Sequence, residues 1–403
     1  MSEVTSNFGS NPEDNPFYLL ATIDGVPAAD DQDRINANRI AWNRYYASST
    51  GPTAPGISDA EKVPLTDEEL SALRRKFAAR ADGRSIALPS VSENINFSGC
   101  IFEKPVSFQG YVFRRKCDFN NTTFKDEANF SSVAFVGDVN FDDSKLMKMA
   151  KFNNSIFHER SSFCRTVFSN TIYFESAKFH KSTSFENAVF EKSVYFESAT
   201  FGSSITFVNT EMKARTTFER CNFKRYPPDF AGAKLHEGTI WEAKFPAPPT
   251  QGDASRFIIA YERLKLEMDR LKKHEDELKF FAMELECRRV IAPDRSKWPF
   301  LLYRVLCNYG QSFVRPFIWL MGVIIVGALP LWWVKEPRDL FLSLGISTAN
   351  TLGSLGLRKD LIDPETLQGL PDWAYLLSGL QTVLGLVLLF LISLGLRNRF
   401  RMR

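Results

Sequence analysis

Phenylalanine recurs from Phe97 to Phe223 at alternating spacings of five and six residues, so that the pattern repeats every eleven residues. Such a short period predicts a solenoid, because each repeat can bury its apolar side chain only against neighbouring repeats. The first of two interleaved series, expected to form the structural core, comprises Phe97, Phe108, Phe119, Phe130, Phe141, Phe152, Phe163, Phe174, Phe185, Phe196, Phe207 and Phe218. The second comprises Phe102, Phe113, Phe124, Phe135, Leu146, Phe157, Phe168, Phe179, Phe190, Phe201, Met212 and Phe223.

Two residues before each phenylalanine, the chain prefers a small or β-branched side chain, as at Val106, Ala128 and Ile172. Alternate residues of an extended segment share a face, so this pattern predicts short strands with both side chains pointing inward. The polar residues that follow suit turns and a solvated exterior. Four such faces would complete a coil in about 22 residues, with phenylalanines stacked about 4.8 Å apart in successive coils.

This repeat resembles the pentapeptide-repeat family in its phenylalanine-centred variant, over about residues 95–245. The resemblance implies a right-handed quadrilateral β-helix, which is a solenoid with four faces, of just under seven coils. The register shifts near Tyr226-Pro227-Pro228, so Leu235, Trp241 and Phe245 are expected to form a last, distorted coil. A helix with an eleven-residue repeat is disfavoured, because Asn, Ser, Thr and β-branched residues are dense here.

Residues 1–90 are expected to form a partly disordered helical cap, because an open β-helix end would expose unpaired backbone. Helices are predicted over Asp30–Tyr46 and Thr66–Ala81, separated by a Pro/Gly/Ser-rich loop at Ser48–Gly56. Thr66 begins a capping box, with Glu69 three residues further on. The first dozen residues are expected to be disordered.

The solenoid is assigned to residues 91–247, and an amphipathic helical connector to residues 252–312. Between about residues 253 and 290, apolar residues recur at three- and four-residue spacings among charged ones, which indicates helix. The charged triplet that starts at His274 could interrupt this helix. A helical hairpin and an oligomeric coiled coil both fit the pattern, although it contains no three clean heptads.

Residues 313–403 contain two apolar stretches, at about 316–334 and 373–396, close to the ~20 residues that a transmembrane helix requires. Tryptophans such as Trp333 and Trp373 lie near their ends, where interfacial aromatic belts occur. Two buried helices of a soluble core are the alternative. The pattern predicts two transmembrane helices joined by a loop.

Basic residues flank the two spans on the sides that face away from the intervening loop. Arg304 and Arg315 precede the first span, and the residues that follow the second are Arg397, Arg399, Arg401 and Arg403. The positive-inside rule therefore predicts an integral protein of the inner or plasma membrane, with the N-terminal β-helix and the C-terminus in the cytoplasm. The same arginines predict membrane lipid as a partner, since each contributes about 1 kcal/mol near an anionic surface.

The segment between the spans begins with Leu340–Leu357, which is apolar and rich in Gly, Ser and Thr. A span, a small-residue segment and a second span form the layout of two-span tetrameric cation channels, and Thr348–Ser354 loosely resembles their Thr-x-x-Thr-Val-Gly-Tyr-Gly filter. The predicted pore-loop residues are Ser347, Thr348, Asn350, Thr351, Gly353, Ser354 and Gly356. Ser354 and Leu355 depart from the filter signature and argue against potassium selectivity. The alternative is a lumenal or periplasmic amphipathic helix that does not conduct.

Two functional hypotheses follow from this organisation. In the first, the protein self-associates, the two spans and their loop form a channel-like pore, and the cytoplasmic β-helix is a sensor or assembly domain. In the second, the protein is a non-conducting scaffold: the two spans anchor it in the membrane, and its β-helical surface binds a cytoplasmic protein partner.

Nucleic-acid mimicry and catalysis are the disfavoured functions. Some soluble pentapeptide-repeat proteins look like DNA through an acidic surface, but residues 97–245 contain 20 Lys/Arg against 17 Asp/Glu, so no nucleic-acid role is expected. The histidines are dispersed, and no phosphate loop or nucleophile motif is present, so neither an enzyme nor a cofactor or metal is expected. His158 and His180 are 22 residues apart on solvated corners, so they could stack on successive coils and bind a metal, although a surface histidine pair without further ligands is more often incidental.

Overall fold

The computed structural model describes residues 10–28, 31–47, 55–248, 251–334, 339–356 and 371–401. The chain forms two compact units, here called the solenoid unit (Met1–Ala247) and the helical unit (Pro248–Arg403). The expected disorder of residues 1–9, most of the expected Ser48–Gly56 loop and Arg403 lie outside the described residues. The α-helices are α1 Pro16–Ala21, α2 Gln32–Tyr45, α3 Asp67–Ala81, α4 Ala254–Arg270, α5 His274–Ile291, α6 Lys297–Cys307, α7 Val314–Val334, α8 Leu340–Thr351 and α9 Asp372–Arg401. Short 3₁₀ helices span Pro12–Asp14, Asp59–Lys62, Gln251–Asp253, Asp294–Ser296 and Gly353–Leu355.

The solenoid consists of 24 two-residue strands in four parallel sheets of six strands each. The first sheet contains β1 Ile95–Asn96, β5 Cys117–Asp118, β9 Val139–Asn140, β13 Ser161–Ser162, β17 Thr183–Ser184 and β21 Ile205–Thr206. The second contains β2 Ile101–Phe102, β6 Thr123–Phe124, β10 Lys145–Leu146, β14 Val167–Phe168, β18 Val189–Phe190 and β22 Glu211–Met212. The third contains β3 Val106–Ser107, β7 Ala128–Asn129, β11 Ala150–Lys151, β15 Ile172–Tyr173, β19 Val194–Tyr195 and β23 Thr216–Thr217. The fourth contains β4 Val112–Phe113, β8 Ala134–Phe135, β12 Ile156–Phe157, β16 Lys178–Phe179, β20 Thr200–Phe201 and β24 Asn222–Phe223.

Each strand pairs with the strand four further along the chain, so one coil is 22 residues, as the sequence predicts. Ile95 pairs with Cys117, for example, and the rings of Phe97 and Phe119 stack with their centroids 4.9 Å apart. The next centroid distance in this column, from Phe119 to Phe141, is 4.5 Å. The first-series phenylalanines are all buried, which confirms the four-sided solenoid and its core.

Buried hydroxyl groups bind adjacent coils together inside this apolar core. The hydroxyl of Thr122 donates to the carbonyl oxygen of Phe97 at 2.9 Å, and that of Ser144 donates to the carbonyl oxygen of Phe119 at 2.6 Å. The same bond to a phenylalanine carbonyl 25 residues earlier is made by Ser155, Thr166, Thr210 and the thiol of Cys221. The small inward positions of the repeat therefore satisfy polar groups as well as fill space.

A left-handed residue forms one corner of every eleven-residue repeat, two positions after each first-series phenylalanine. Positive φ occurs at Gly99, Gly110, Asn121, Ser132, Asp143, Asn154, Arg165, Ser176, Asn187, Ser198, Asn209 and Arg220. Gly and Asn tolerate this conformation, whereas Arg seldom adopts it. At Arg165, Nε and Nη2 donate to the two carboxylate oxygens of Asp143 on the preceding coil, at 2.7 and 2.8 Å.

The final coil is distorted as expected from the register shift. Only isolated bridges remain there, and Thr206 pairs with Asp229, which is 23 rather than 22 residues away. The ring of Trp241 nevertheless stacks on Phe218 with centroids 4.7 Å apart. Leu235 is buried, and Phe245 stacks on Phe223 at 5.3 Å.

The N-terminal helices pack on the first coil. The indole Nε1 of Trp42 donates to the carbonyl oxygen of Val112 at 3.2 Å, and the hydroxyl of Tyr111 donates to the carbonyl oxygen of Ala21 at 2.8 Å. The capping box expected at the start of α3 is present, since Thr66 and Glu69 bond each other's backbone N–H groups. These contacts occupy backbone groups that an open solenoid end would expose.

Helices α4 and α5 form an antiparallel hairpin, which decides between the two arrangements that the sequence left open for the connector. The break falls just before His274, where Lys272 adopts a φ of 59°. Inside the hairpin, the buried carboxylate of Glu284 accepts bonds from Lys265 Nζ at 2.6 Å and Arg288 Nε at 2.7 Å. The hairpin therefore has its own buried ion-pair cluster.

Candidate functional site

Helices α7, α8 and α9 form a three-helix core in which two helices are long and apolar enough to cross a membrane. These candidate spans are Val314–Val334 and Asp372–Phe400. Many of their exposed residues are large and apolar, including Val326, Leu376 and Leu380. Apolar residues on the outside suit a lipid environment, where the bilayer takes the place of water.

Helix α8 begins at one end of the two spans and stops beside their midpoints. Its N-terminus is capped by Asp339, whose carboxylate accepts from the backbone N–H of Phe341 at 2.8 Å. Twelve residues give a helix of about 18 Å, roughly half of a bilayer. Near its C-terminal end, the hydroxyl of Ser347 donates to the carbonyl oxygen of Ile324, halfway along α7, at 2.7 Å.

Two glycines allow this close approach. A Cβ at Gly385, near the middle of α9, would overlap the carbonyl oxygen of Thr351, the last residue of α8. A Cβ at Gly327 of α7 would overlap the side chain of Gln381. Small residues at helix contacts let backbones approach closely, as is common in membrane bundles.

Gln381 of α9 joins the three helices through a buried polar network. Its Nε2 donates to Ser347 Oγ at 2.7 Å, and its Oε1 accepts from Asn350 Nδ2 at 3.3 Å. The hydroxyl of Thr382 donates to the carbonyl oxygen of Asn350 at 2.9 Å. Within the part of the chain that the structure describes, the buried atoms Asn350 Oδ1 and Ser378 Oγ have no hydrogen-bond partner. The network is therefore incomplete within one chain.

The predicted pore-loop residues divide into two groups. Ser347, Thr348, Asn350 and Thr351 lie in α8, so this part of the segment is helical and not the non-helical loop that the filter resemblance implied. The N-terminal cap and the packing against both spans explain the helix. The second group is Gly353, Ser354 and Gly356. It follows α8 in the 3₁₀ turn Gly353–Leu355, which ends at Gly356 with a positive φ, and Ser354 and Gly356 are exposed.

Sequence reasoning missed the polar side of α9. Ser378, Gln381 and Thr382 recur at three- and four-residue spacing inside an apolar span. Polar residues within a transmembrane segment usually face other helices or a cavity, so this spacing could have identified the contact face.

The basic end of α9 lies against the start of α7. The side chain of Asn398 donates from Nδ2 to the carbonyl oxygen of Gly310 at 3.1 Å, and the Arg399 guanidinium lies 5.4 Å from the centre of the Phe313 ring. Arg397 and Arg401 are in the same helical end, although the side chain of Arg401 is not described.

Among the described residues, two groups bring together side chains of the types that bind metal ions. The rings of His158 and His180 stack with centroids 5.2 Å apart, which confirms the expected stacking. Burial and then the neighbouring His180 lower the pKa of His158. At the hairpin turn, one ligand atom from each of Asp269, His274 and Glu277 lies within 4.8 Å of the other two. Asp269 is exposed, and the stacked rings present faces to each other, so neither group forms an enclosed site.

Comparison with known families identifies the solenoid. A family model described as "Pentapeptide repeats (9 copies)" matches residues 97–145 and 174–222, both within the 24-strand region. The solenoid is therefore a pentapeptide-repeat β-helix, and the chain combines it with two candidate membrane-spanning helices. Comparisons with curated proteins and with solved structures each gave no match.

Proposed function

We propose that the helical unit self-associates in a membrane and forms a pore, with residues 353–356 beside the conducting path. One observation supports this most strongly: α8 stops beside the midpoints of both spans, and an exposed 3₁₀ turn that ends at Gly356 follows it. Residues Gly353–Gly356 would then lie at membrane depth.

The end of a helix leaves its last carbonyl oxygens without partners in the helix, and this is costly in contact with lipid because the hydrocarbon offers no hydrogen-bond partners. At membrane depth such an end is tolerated where it is covered by protein or lines a water-filled path. Two spans and one half-length helix cannot enclose a path by themselves, so further copies of the chain would complete it. Among the described residues, the buried atoms Asn350 Oδ1 and Ser378 Oγ have no hydrogen-bond partner, which also favours water within this core.

The charges favour one orientation. Arg315 lies at the start of α7 and Arg399 near the end of α9, and the contacts at Gly310 and Phe313 bring these two ends together. By the positive-inside rule, this end of the spans would lie on the cytoplasmic side of the inner or plasma membrane. The β-helix would be cytoplasmic as well, as a sensor or assembly domain.

Conductance of the reconstituted full-length protein in planar bilayers tests the proposal. In a Ser354→Cys variant, a charged thiol reagent should block most of the current, because the new thiol would lie beside the path. Leu380→Cys is the control, since Leu380 is exposed on α9 and expected to face lipid. A folded oligomer without conductance, or equal block of both variants, would contradict the proposed pore.

A non-conducting scaffold is the second candidate, and the hydroxyl groups of α8 favour it. Thr348 and Thr351 donate to the carbonyl oxygens of Leu344 and Ser347 in their own helix, at 2.7 and 2.8 Å. These groups need no water-filled path to satisfy them. A stable monomer in mild detergent would support the scaffold, which would present the solenoid surface to a cytoplasmic protein.

A further inference from the structure

Helix α6 has an exposed apolar stripe that takes no part in the packing among the described residues of the helical unit. Trp298, Leu301, Leu302 and Val305 are all exposed, and they follow the spacing of one helix face. Trp298 is 71% exposed, which is unusual for the largest apolar side chain. A patch of this kind marks an interaction surface.

The other side of α6 is bound to the hairpin. Arg304 Nη1 donates to Glu286 Oε1 at 3.0 Å, and the hydroxyl of Tyr309, just after the helix, donates to Glu286 Oε2 at 2.6 Å. Cys307 at the end of α6 is fully buried. Burial opposes ionisation of Glu286, but the bonds from Arg289 and Tyr309 prevail and hold its pKa below the usual value. These charged contacts orient α6 with its apolar stripe outward.

The position of α6 indicates what covers the stripe. Six residues, 308–313, separate the end of α6 from the start of the span α7. The turn between them also contacts the basic end of α9, through the bond from Asn398 to Gly310. The stripe therefore begins next to the end of both spans, where the lipid headgroups of a surrounding bilayer would lie.

The composition of the segment fits the same environment. Residues 294–315 contain four basic residues, Arg295, Lys297, Arg304 and Arg315, against one acidic residue, Asp294. Tryptophan is enriched at the membrane–water interface, and basic residues bind lipid phosphates. An amphipathic helix with these properties typically lies in the plane of the interface.

We propose that α6 lies in the headgroup–acyl boundary of the bilayer leaflet at the basic end of the spans. Trp298, Leu301, Leu302 and Val305 enter the acyl region, and Arg295 and Lys297 face the phosphates. This inference depends on the membrane placement of α7 and α9 in the proposed function, but not on conduction. It makes α6 the element that fixes the hairpin against the membrane surface.

Depth measurements on the full-length protein in phosphatidylcholine/phosphatidylglycerol vesicles test this proposal. A nitroxide is attached to Leu302→Cys, and its accessibility to oxygen is compared with its accessibility to a water-soluble nickel chelate. Leu266→Cys on α4 is the matched control, since Leu302 is 58% and Leu266 60% exposed. Val326→Cys on α7, 66% exposed, reports the span itself. The variants carry Cys164→Ser, because Cys164 is partly exposed and the other five cysteines are buried.

The label at Leu302 should give an oxygen-to-nickel ratio several-fold higher than the label at Leu266, and lower than the label at Val326. Val305→Cys should repeat the result if labelling at Leu302 disturbs the fold. Aqueous ratios at Leu302 and Val305, with a lipid ratio at Val326, would overturn the inference and leave the membrane spans in place. An aqueous ratio at Val326 would instead reject the membrane placement, and the inference with it.

Discussion

The solenoid and the three-helix core differ in the side chains that they expose. In the solenoid, phenylalanines such as Phe163 fill the interior and polar residues cover the outside. In the three-helix core, Ser347, Asn350 and Gln381 are buried, while Val326 and Leu380 are exposed. The contrast suits a solenoid surrounded by water and, under the proposed function, candidate spans surrounded by lipid.

The source of stability should differ accordingly. Apolar burial drives the folding of the solenoid, and each coil depends on its two neighbours. Between helices in lipid, apolar burial contributes little, because the lipid is as apolar as the side chains. Close backbone packing and interhelical hydrogen bonds should stabilise the three-helix core instead.

The largest expected effect is in the stack of the solenoid. Phe163→Ala should lower the free energy of unfolding by about 3–5 kcal/mol, because it leaves a cavity between Phe141 and Phe185. Urea unfolding of the full-length protein in detergent, followed by circular dichroism, measures the loss. Phe163→Leu retains most of the volume and should cost less than about 1.5 kcal/mol. Equal losses for the two variants would show that the interior is not closely packed.

A smaller effect is expected in the three-helix core, where the close approach of the helix backbones, and not the burial of apolar area, should determine stability. Gly385→Ala should destabilise this core by about 1–3 kcal/mol, because the new Cβ would overlap the carbonyl oxygen of Thr351. Gly379→Ala in the same helix is the matched control, since a Cβ there meets no neighbouring atom within 4 Å. It should be neutral or stabilise the helix by up to about 1 kcal/mol. Thermal unfolding in detergent compares the two, and similar stabilities would disprove the close contact.

The difference between the units also explains what could be predicted from the sequence. The solenoid contacts are local, 22 residues apart, and repeat many times, so the spacing of phenylalanine was enough to predict the coil, the columns and the distorted end. The polar network around Gln381 depends on contacts with Ser347 and Asn350, 34 and 31 residues away, and no repetition in the sequence reveals them. For α8 the sequence left a pore loop and an amphipathic helix open, because its small polar residues suit both a loop and a helix packed between other helices.

The smallest expected effect is at a corner of the solenoid where a titratable side chain is partly buried. His158 Nε2 is buried and, among the described residues, has no hydrogen-bond partner. Burial and then His180 lower the pKa of His158 from its usual 6.5. The unfolded chain therefore binds this proton more tightly than the folded chain. The contribution of neutral His158 to the free energy of unfolding is fully present above about pH 6.5, and it is lost as the pH falls through the lowered pKa of the folded state.

The midpoint temperature of thermal unfolding should therefore decrease slightly as the pH is lowered from about 7.5 to about 5.5. His158→Gln should reduce this decrease, because glutamine does not titrate. The double variant with His180→Gln should reduce it further, since burial followed by Lys224 also lowers the pKa of His180. An unchanged pH dependence in the double variant would mean that protonation of the stacked pair does not oppose folding. The solenoid would then tolerate a charged side chain at this partly buried corner, and its interior would be less strictly separated from its surface than the interior of the three-helix core is.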